Sequence, residues 1–518
     1  MAEEISKDKA LKILVKSSGI SFFGMALSQI ILYLLRLVLA RALTPSEYGL
    51  LFLGFSIINI LMAFETFCLE GGIVRYVPYY AAKKDFGKVK GAIVSSIKIS
   101  FPVSLFLFVV IFFFSDQISL LVFHEPSLSG VLKIFSFALP FFVVYKIFSA
   151  ALLGFKGVKY DVISWQIGRS LAILLSLLLF LALGFGLAGA TMSYVLGFVV
   201  SGLLALVFLE KKVFRVLKGG LKPVSMQRQL LSFSLPLLIF SLLWNFMERM
   251  DTIMIGALKT TSDVGMYQTA LPTSQFLYVI PGALGTLFLP VVSEMLSKKK
   301  TEDIGAVYKT VAKWAFYINL PVCLVLVMYP NAVINMLFGS EYIEAGNALR
   351  LLSLAALVYS MSMLSATIIN LFEKTKYHIL NAGAATLVGV LLNYLLIPVY
   401  GIVGSAIAML VTFALYTSLL ITETYLISGY LPFHRGMLKA AVSGVISIAA
   451  VYYLTKFLFA TTNIWILTPM FLIFIAVYAL LLLVLKGLGE EDIMILKAIE
   501  AKTGMRIKFI RKFIKKFI

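Results

Sequence analysis

Apolar residues in this chain do not alternate with polar ones; they run in blocks. Blocks of about 18 or more recur along the whole length, each long enough as a helix to cross a hydrocarbon layer roughly 30 Å thick. Strand-type alternation is absent, so the blocks predict helices rather than barrel strands. They fall near 15–41, 47–80, 90–114, 130–153, 161–183, 187–209, 229–257, 263–296, 305–328, 348–372, 377–398, 402–428, 436–457 and 464–486. The expected fold is an all-α polytopic membrane protein with about fourteen transmembrane helices. The longest connections, Glu210–Gln229 and Tyr329–Asn347, are too short for a soluble domain.

The polar positions between blocks give an orientation. Lys83, Lys84, Lys88 and Lys90 follow the second block, Lys156 and Lys159 the fourth, and Lys211, Lys212, Arg215, Lys218, Lys222 and Arg228 the sixth. Lys298, Lys299 and Lys300 follow the eighth, Lys374 and Lys376 the tenth, Arg435 and Lys439 the twelfth. The odd-numbered connections are nearly devoid of Lys and Arg, and Ser115–Gly130 and Tyr329–Asn347 contain none. Cationic loops stay in the cytoplasm, so both termini are expected inside a cell (plasma or inner) membrane.

Composition then adds little. The chain is 61% hydrophobic and only 14% charged, where a soluble domain carries about a quarter. The net charge of +20 is accounted for by the loops, and no nucleic-acid partner is expected. Near the C-terminus Ile507, Ile510, Ile514 and Phe517 share one helical face, with Arg506, Lys508, Arg511, Lys512, Lys515 and Lys516 opposite or beside it. That pattern suits a helix lying on anionic lipids; a plain positive-inside tail would read the same.

The blocks repeat. Thr44, Ser46, Glu47 and Gly49 match Thr260, Ser262, Asp263 and Gly265 at a constant offset of 216 (260 − 44). Lys159-Tyr160 is echoed by Lys376-Tyr377, and Gly186-Leu-Ala-Gly189 by Gly401-Ile-Val-Gly404. Two like-facing six-helix lobes in pseudo-two-fold repeat are expected: residues 1–228 with their basic linker, and 229–434. Residues 435–487 add two C-terminal helices, and 488–518 form a cytoplasmic basic tail.

Charges inside the blocks are the candidate chemistry, because each costs roughly 2.5–3.5 kcal/mol at mid-bilayer unless it faces a partner or a wet cavity. Glu248, Arg249 and Asp251 interrupt the seventh block; Arg36 lies in the first, Glu65, Glu70 and Arg75 in the second, Lys146 in the fourth and Arg169 in the fifth. Gly71 and Gly72 would let another helix approach closely. A guanidinium fork suits phosphate oxygens, which makes Arg36, Arg75, Arg169 and Arg249 candidates for an anion-binding cavity. Glu65, Glu70, Glu248 and Asp251 are candidates for carrying H+ or Na+, or for pairing with these cations.

Other chemistry is missing from the sequence. There is no Walker A motif. His124, His378 and His434 are scattered, Cys68 and Cys323 lie within blocks, and no nucleophile–base constellation can be assembled. The chain is not expected to be an enzyme, to bind a metal or to need a cofactor.

The turn Leu43-Thr-Pro-Ser-Glu-Tyr-Gly49, Gly71-Gly-Ile-Val-Arg-Tyr-Val-Pro78, Glu248-Arg-Met-Asp-Thr-Ile-Met-Ile-Gly256 and Val264-Gly-Met-Tyr-Gln-Thr-Ala270 resemble the polysaccharide transport family. This family of O-antigen and related oligosaccharide-lipid flippases lies within the multidrug/oligosaccharidyl-lipid/polysaccharide exporter superfamily. The resemblance implies two lobes around a cavity that opens to each face in turn, and a substrate of oligosaccharide on a polyprenyl (pyro)phosphate. The arginines would hold the phosphates, with the tail in lipid along the two last helices. Within the superfamily, a multidrug cation antiporter and a lipid II flippase are the rival readings; a membrane scaffold for glycan synthesis is a third.

Overall fold

The computed structural model describes residues 7–217, 220–458, 464–489 and 492, and among them every regular element is helical. Among the described residues twelve helical stretches are long and apolar enough to cross a membrane, and the chain is a multi-pass membrane protein. One of the twelve, Lys376–Ser428, has 53 residues. At about 1.5 Å per residue it is more than twice a hydrocarbon thickness, and Gly401, just after Pro398, breaks it at φ 58°, ψ −136°. The expected fourteen crossings require this helix to count as two and the shorter apolar helix at Thr468–Val484 as one more.

The chain divides into two compact units, up to Gln268 and from Thr269. The first contains α1 (Lys7–Ala42), α2 (Pro45–Glu65), α3 (Leu69–Ala82), α4 (Phe86–Leu121), α5 (Leu128–Ser136) and α6 (Ala138–Gly154). It continues with α7 (Val158–Val162), α8 (Ser170–Ala182), α9 (Gly186–Phe208), α10 (Gln227–Leu258) and the start of α11 (Thr261–Ser274). Residues Ile163–Arg169 join α7 to α8 as a π-helical stretch. The unit centres on α2, which packs against α4, α5, α6, α9 and α10 through fully buried Tyr48, Leu51, Phe52, Leu53 and Ile58. The opening helix of the second sequence copy, α10, is thus part of the first compact unit.

The second expected span is not one helix. It breaks at Thr66–Cys68, where Phe67 (φ 49°) and Cys68 (φ 53°) are both left-handed, a conformation that costs a non-glycine residue roughly 1–3 kcal/mol. The Ser100 Oγ donates to the Thr66 carbonyl (3.3 Å), and the Leu69 N–H also donates to it (2.9 Å). Gly71 and Gly72 face α10, with Leu237 and Leu230 3.3 and 2.8 Å from where a Cβ would sit.

The repeated turn has a local cause. Thr44 and Glu47 close a reciprocal capping box at the start of α2: the Glu47 N–H donates to Thr44 Oγ1 (3.3 Å) and the Thr44 N–H to Glu47 Oε2 (3.0 Å). Thr260 and Asp263 repeat it at α11, at 3.2 and 3.1 Å. Such boxes satisfy amides that a helix start leaves open. The two turns also pack on each other. A Cβ at Gly49 would lie 1.7 Å from the Thr261 carbonyl oxygen, and one at Gly265 would lie 2.0 Å from that of Pro45. Thr261 is Pro45 plus 216 and Gly265 is Gly49 plus 216, so the contact is reciprocal under the repeat. The Ser46 and Thr261 hydroxyls add a hydrogen bond at 2.7 Å.

The second unit holds α12 (Val279–Ser297), α13 (Thr301–Met328), α14 (Pro330–Leu337), α15 (Gly346–Leu371), α16 (Lys376–Ser428), α17 (Arg435–Leu458) and α18 (Ile464–Val484). The polar connection expected at Tyr329–Asn347 is itself helical, because Pro330 starts α14 and Ser340–Ala345 form a 3-10 turn. Beyond α18 the chain is anchored on α13. Lys313 and Asp492, 1% and 0% exposed at their side chains, form an ion pair at 2.7 Å. Trp314 Nε1 and the Gly489 N–H also donate to that carboxylate (2.8 and 2.7 Å). The Tyr317 hydroxyl donates to the Gly487 carbonyl (2.6 Å). The basic amphipathic segment 505–518 lies outside the described residues.

Candidate functional site

Three of the four arginines singled out by sequence meet in the first unit on one aromatic surface. Phe52 and Phe55 of α2 and Tyr194 and Phe198 of α9 pack with ring centroids 5.1–6.5 Å apart. Trp165 of the π-helical stretch lies 6.0 Å from Phe198 and stacks on Tyr145 at 4.2 Å. Arg36 of α1 sits over Phe52 (4.2 Å), Arg169 over Trp165 (4.0 Å) and Phe198 (5.9 Å), and Arg249 of α10 beside Phe55 (5.9 Å). Such cation–π contacts give about 0.5–1 kcal/mol when exposed and about 2 or more when desolvated.

Each guanidinium is positioned by a different device. Arg36 Nη1 donates to Gln268 Oε1 (3.3 Å), and Gln268 Nε2 in turn donates to Thr252 Oγ1 (2.6 Å). The repeat explains this relay: Thr252 is Arg36 plus 216 and Gln268 is Phe52 plus 216, so Arg36 rests on two equivalent positions of the two copies. Arg169 ends the π-helical stretch, and π-bulges are rare and concentrate at functional sites. Gly197 gives it room, since a Cβ there would lie 3.2 Å from the Arg169 Cγ. Its platform is fixed in turn by the Tyr145 hydroxyl, which donates to Asp161 Oδ1 (3.2 Å), a carboxylate that also accepts from Ser149. Arg249 lies within electrostatic range of Glu248 and Arg36.

None of the three forms an ion pair among the described residues. The Nε atoms of Arg169 and Arg249 are buried and donate to nothing, and Arg169 is 9% exposed overall. Three clustered cations on an apolar floor, with donors to spare, form an arrangement that can accept a polyanion such as phosphate. The fourth arginine, Arg75, is exposed and stands apart, over Phe233 (4.7 Å) and Tyr76 (5.7 Å).

The acidic candidates separate. Glu70 pairs with Lys146 at 3.6 Å. Asp251 is buried and accepts from the Tyr267 hydroxyl (2.7 Å), while Glu248 is exposed. Glu65 is 0% exposed, and neither carboxyl oxygen has a hydrogen-bond partner. The aromatic floor, Gln268 and Asp161 were not legible as site residues, because a Phe or Trp inside an apolar block carries no signal of its own. For Gln268 the signal was available: it is the repeat-equivalent of the residue beneath Arg36.

A family model described as polysaccharide biosynthesis protein matches residues 14–296, more than half of the chain. This chain belongs to that family. A second model, MatE, matches residues 236–395. A putative O-antigen transporter of Shigella flexneri is 22% identical over 410 residues, covering 76% of this chain and 94% of that protein. A probable low-salt glycan biosynthesis flippase of Haloferax volcanii is 24% identical over 192 residues, covering 37% and 41%. Among solved structures, a lipid II flippase in an inward closed conformation superposes with TM-score 0.71 at 17% identity, covering 90% of this chain and 98% of that one. At that identity the likeness shows the fold.

Proposed function

We propose that this chain is a flippase, not an enzyme. It moves a polyprenyl-(pyro)phosphate-linked oligosaccharide from the cytoplasmic to the outer leaflet of the cell membrane, for surface polysaccharide or glycan biosynthesis. The observation that carries the reading is the group Arg36, Arg169 and Arg249, three guanidiniums sharing an aromatic floor and forming no ion pair among the described residues. Phosphate is the substrate part common to every such lipid, and arginine forks meet it with paired, charge-assisted hydrogen bonds. A relative named a putative O-antigen transporter and another named a probable low-salt glycan biosynthesis flippase are in keeping with this substrate class.

The polyprenyl tail stays in the apolar phase. In the second unit a cavity of about 220 Å³, lined by Tyr329, Val333, Ile448, Val451, Phe471 and Phe474, offers an apolar surface between α13, α14, α17 and α18 for part of it. Alternating access, cytoplasmic termini and a basic tail on anionic lipids complete the proposal; Arg75, outside the cluster, would meet the substrate on entry. A cation antiporter is disfavoured by three positive charges in the site, none of them ion-paired among the described residues, and a lipid II flippase is the second reading because it shares the phosphate.

The test is translocation of a fluorescent polyprenyl-pyrophosphate oligosaccharide in proteoliposomes containing only this protein. Protein-dependent movement that falls in Arg36→Ala, Arg169→Ala and Arg249→Ala at equal incorporation is expected. Intact transport in all three variants would sink the cationic site, and efflux of an organic cation without glycan movement would sink the flippase. Deleting residues after Lys502 should leave translocation in place, whereas a scaffold would lose its partners.

A further inference from the structure

Glu65 takes no part in the arginine cluster, yet its environment is unusual. It is the last residue of α2, 0% exposed, with both carboxyl oxygens lacking a hydrogen-bond partner. Immediately after it come Thr66 and the back-to-back left-handed residues Phe67 and Cys68, which break the span. Across from it on α4 stands Ser104, within reach of the carboxyl, fully buried and with an Oγ that likewise bonds to nothing. A buried carboxyl, a spare hydroxyl and a strained backbone therefore coincide at one place.

The charged groups on the elements packed around α2 are otherwise engaged or set apart. Arg36 on α1 holds Phe52 and Gln268. On α4, Asp116 pairs with Lys133 of α5, and Lys88 pairs with Asp85; Lys90 and Lys98 make no ion pair with Glu65. On α3, Glu70 pairs with Lys146 of α6, Arg75 lies over Phe233, and Cys68 is a buried free thiol. On α10, Arg249 lies by Phe55, Asp251 accepts from Tyr267, and Glu248 is exposed; α9 carries no charged residue. No cation in the described residues neutralises Glu65.

We propose that Glu65 is a proton-binding site built into the break between α2 and α3, and that its deprotonation rearranges the break. An ionised carboxylate with no cation beside it and a single hydroxyl within reach is strongly disfavoured in a dry interior, so the arrangement in this structure holds Glu65 as the neutral acid. Loss of its proton to water breaks one O–H bond and leaves a carboxylate that must find water or donors beyond Ser104. Rotation at Phe67 and Cys68, which also relieves their left-handed strain, supplies that exit. One carboxyl and one hydroxyl make a proton site rather than a Na+ site, since a metal cation needs several oxygens. In the flippase reading, on which the coupling role rests, this makes the driving ion H+.

Two measurements on the full-length protein in lipid separate the proposal from that reading. Infrared difference spectroscopy between acid and alkaline pH should show a protonated-carboxyl band, absent in Glu65→Gln and retained with a shifted midpoint in Ser104→Ala, together with an amide change at the break. In proteoliposomes, a one-unit pH gradient can bias a one-proton exchange by up to about tenfold; wild type should respond in that range, and Glu65→Gln should lose the response. A carboxyl band unchanged in Glu65→Gln, or a gradient response unchanged in it, overturns the proposal. If no glycan moves in wild type while the Glu65 band titrates with the amide change, the proton site stands and the flippase reading fails.

Discussion

Arg169 is 9% exposed, its Nε donates to nothing, and its contacts are the faces of Trp165 and Phe198. A buried cation without a counter-charge costs stability, and replacing buried charge by an apolar side chain of similar volume is often neutral or stabilising. Arg169→Met is therefore expected to leave the melting temperature unchanged or higher while cutting glycan translocation by about tenfold or more, an effect of about 1.4 kcal/mol. Thermal unfolding in detergent beside the proteoliposome assay checks both halves. Arg36→Lys keeps the charge but loses the planar fork that meets Gln268 and Phe52 together; it should lower translocation with little change in stability. The sequence exposed these arginines because a charge in an apolar block has no cheap explanation. It could not say which three meet, since that depends on helix packing and on aromatics indistinguishable from core.

At the scale of the element, the helices were legible, and their interruptions only where residue type marks them. Gly401 with Pro398 marks a break by residue type, but Thr66-Phe67-Cys68 contains neither glycine nor proline, and the second span reads as continuous. The terminal anchor was hidden for another reason: Lys313 and Asp492 are 179 residues apart, and no local pattern links them. Removing one partner of such a buried pair costs roughly 3–5 kcal/mol. Asp492→Asn should lower thermal stability by that order, and replacing Lys313 by Met in the same chain should restore part of it, measured as a double-mutant cycle. Gly49→Ala would press a Cβ to 1.7 Å from the Thr261 carbonyl, backbone that cannot swing aside. It should cost about 1–3 kcal/mol or more, and Gly265→Ala similarly; the double variant should cost less than the sum, because either one already opens the joint.

For the whole molecule, the blocks of apolar residues foretold an all-helical multi-pass chain, and the loop lysines gave an orientation. That orientation has its own measurement. A membrane-impermeant thiol reagent applied to intact cells should spare cysteines placed at Lys83 or Lys298 and modify one placed at Leu121, once Cys68 and Cys323 are removed; the reverse pattern would invert the topology. Compact units do not follow the sequence divisions residue for residue. The opening helix of the second copy packs on α2, α3 and α4, which is how Arg249, Thr252 and Gln268 come to stand beside Arg36.

The meeting of Gly49 with Thr261 and of Gly265 with Pro45 has an ancestry implied in it. A chain that arose by doubling itself can let its halves drift apart wherever each half answers to different neighbours. At this joint each half is the neighbour of the other, and a side chain gained on one turn must be accommodated by the backbone of its twin. The stretch in which the two copies keep Thr, Ser, an acidic residue and Gly at one offset is the stretch where each copy packs on the backbone of the other.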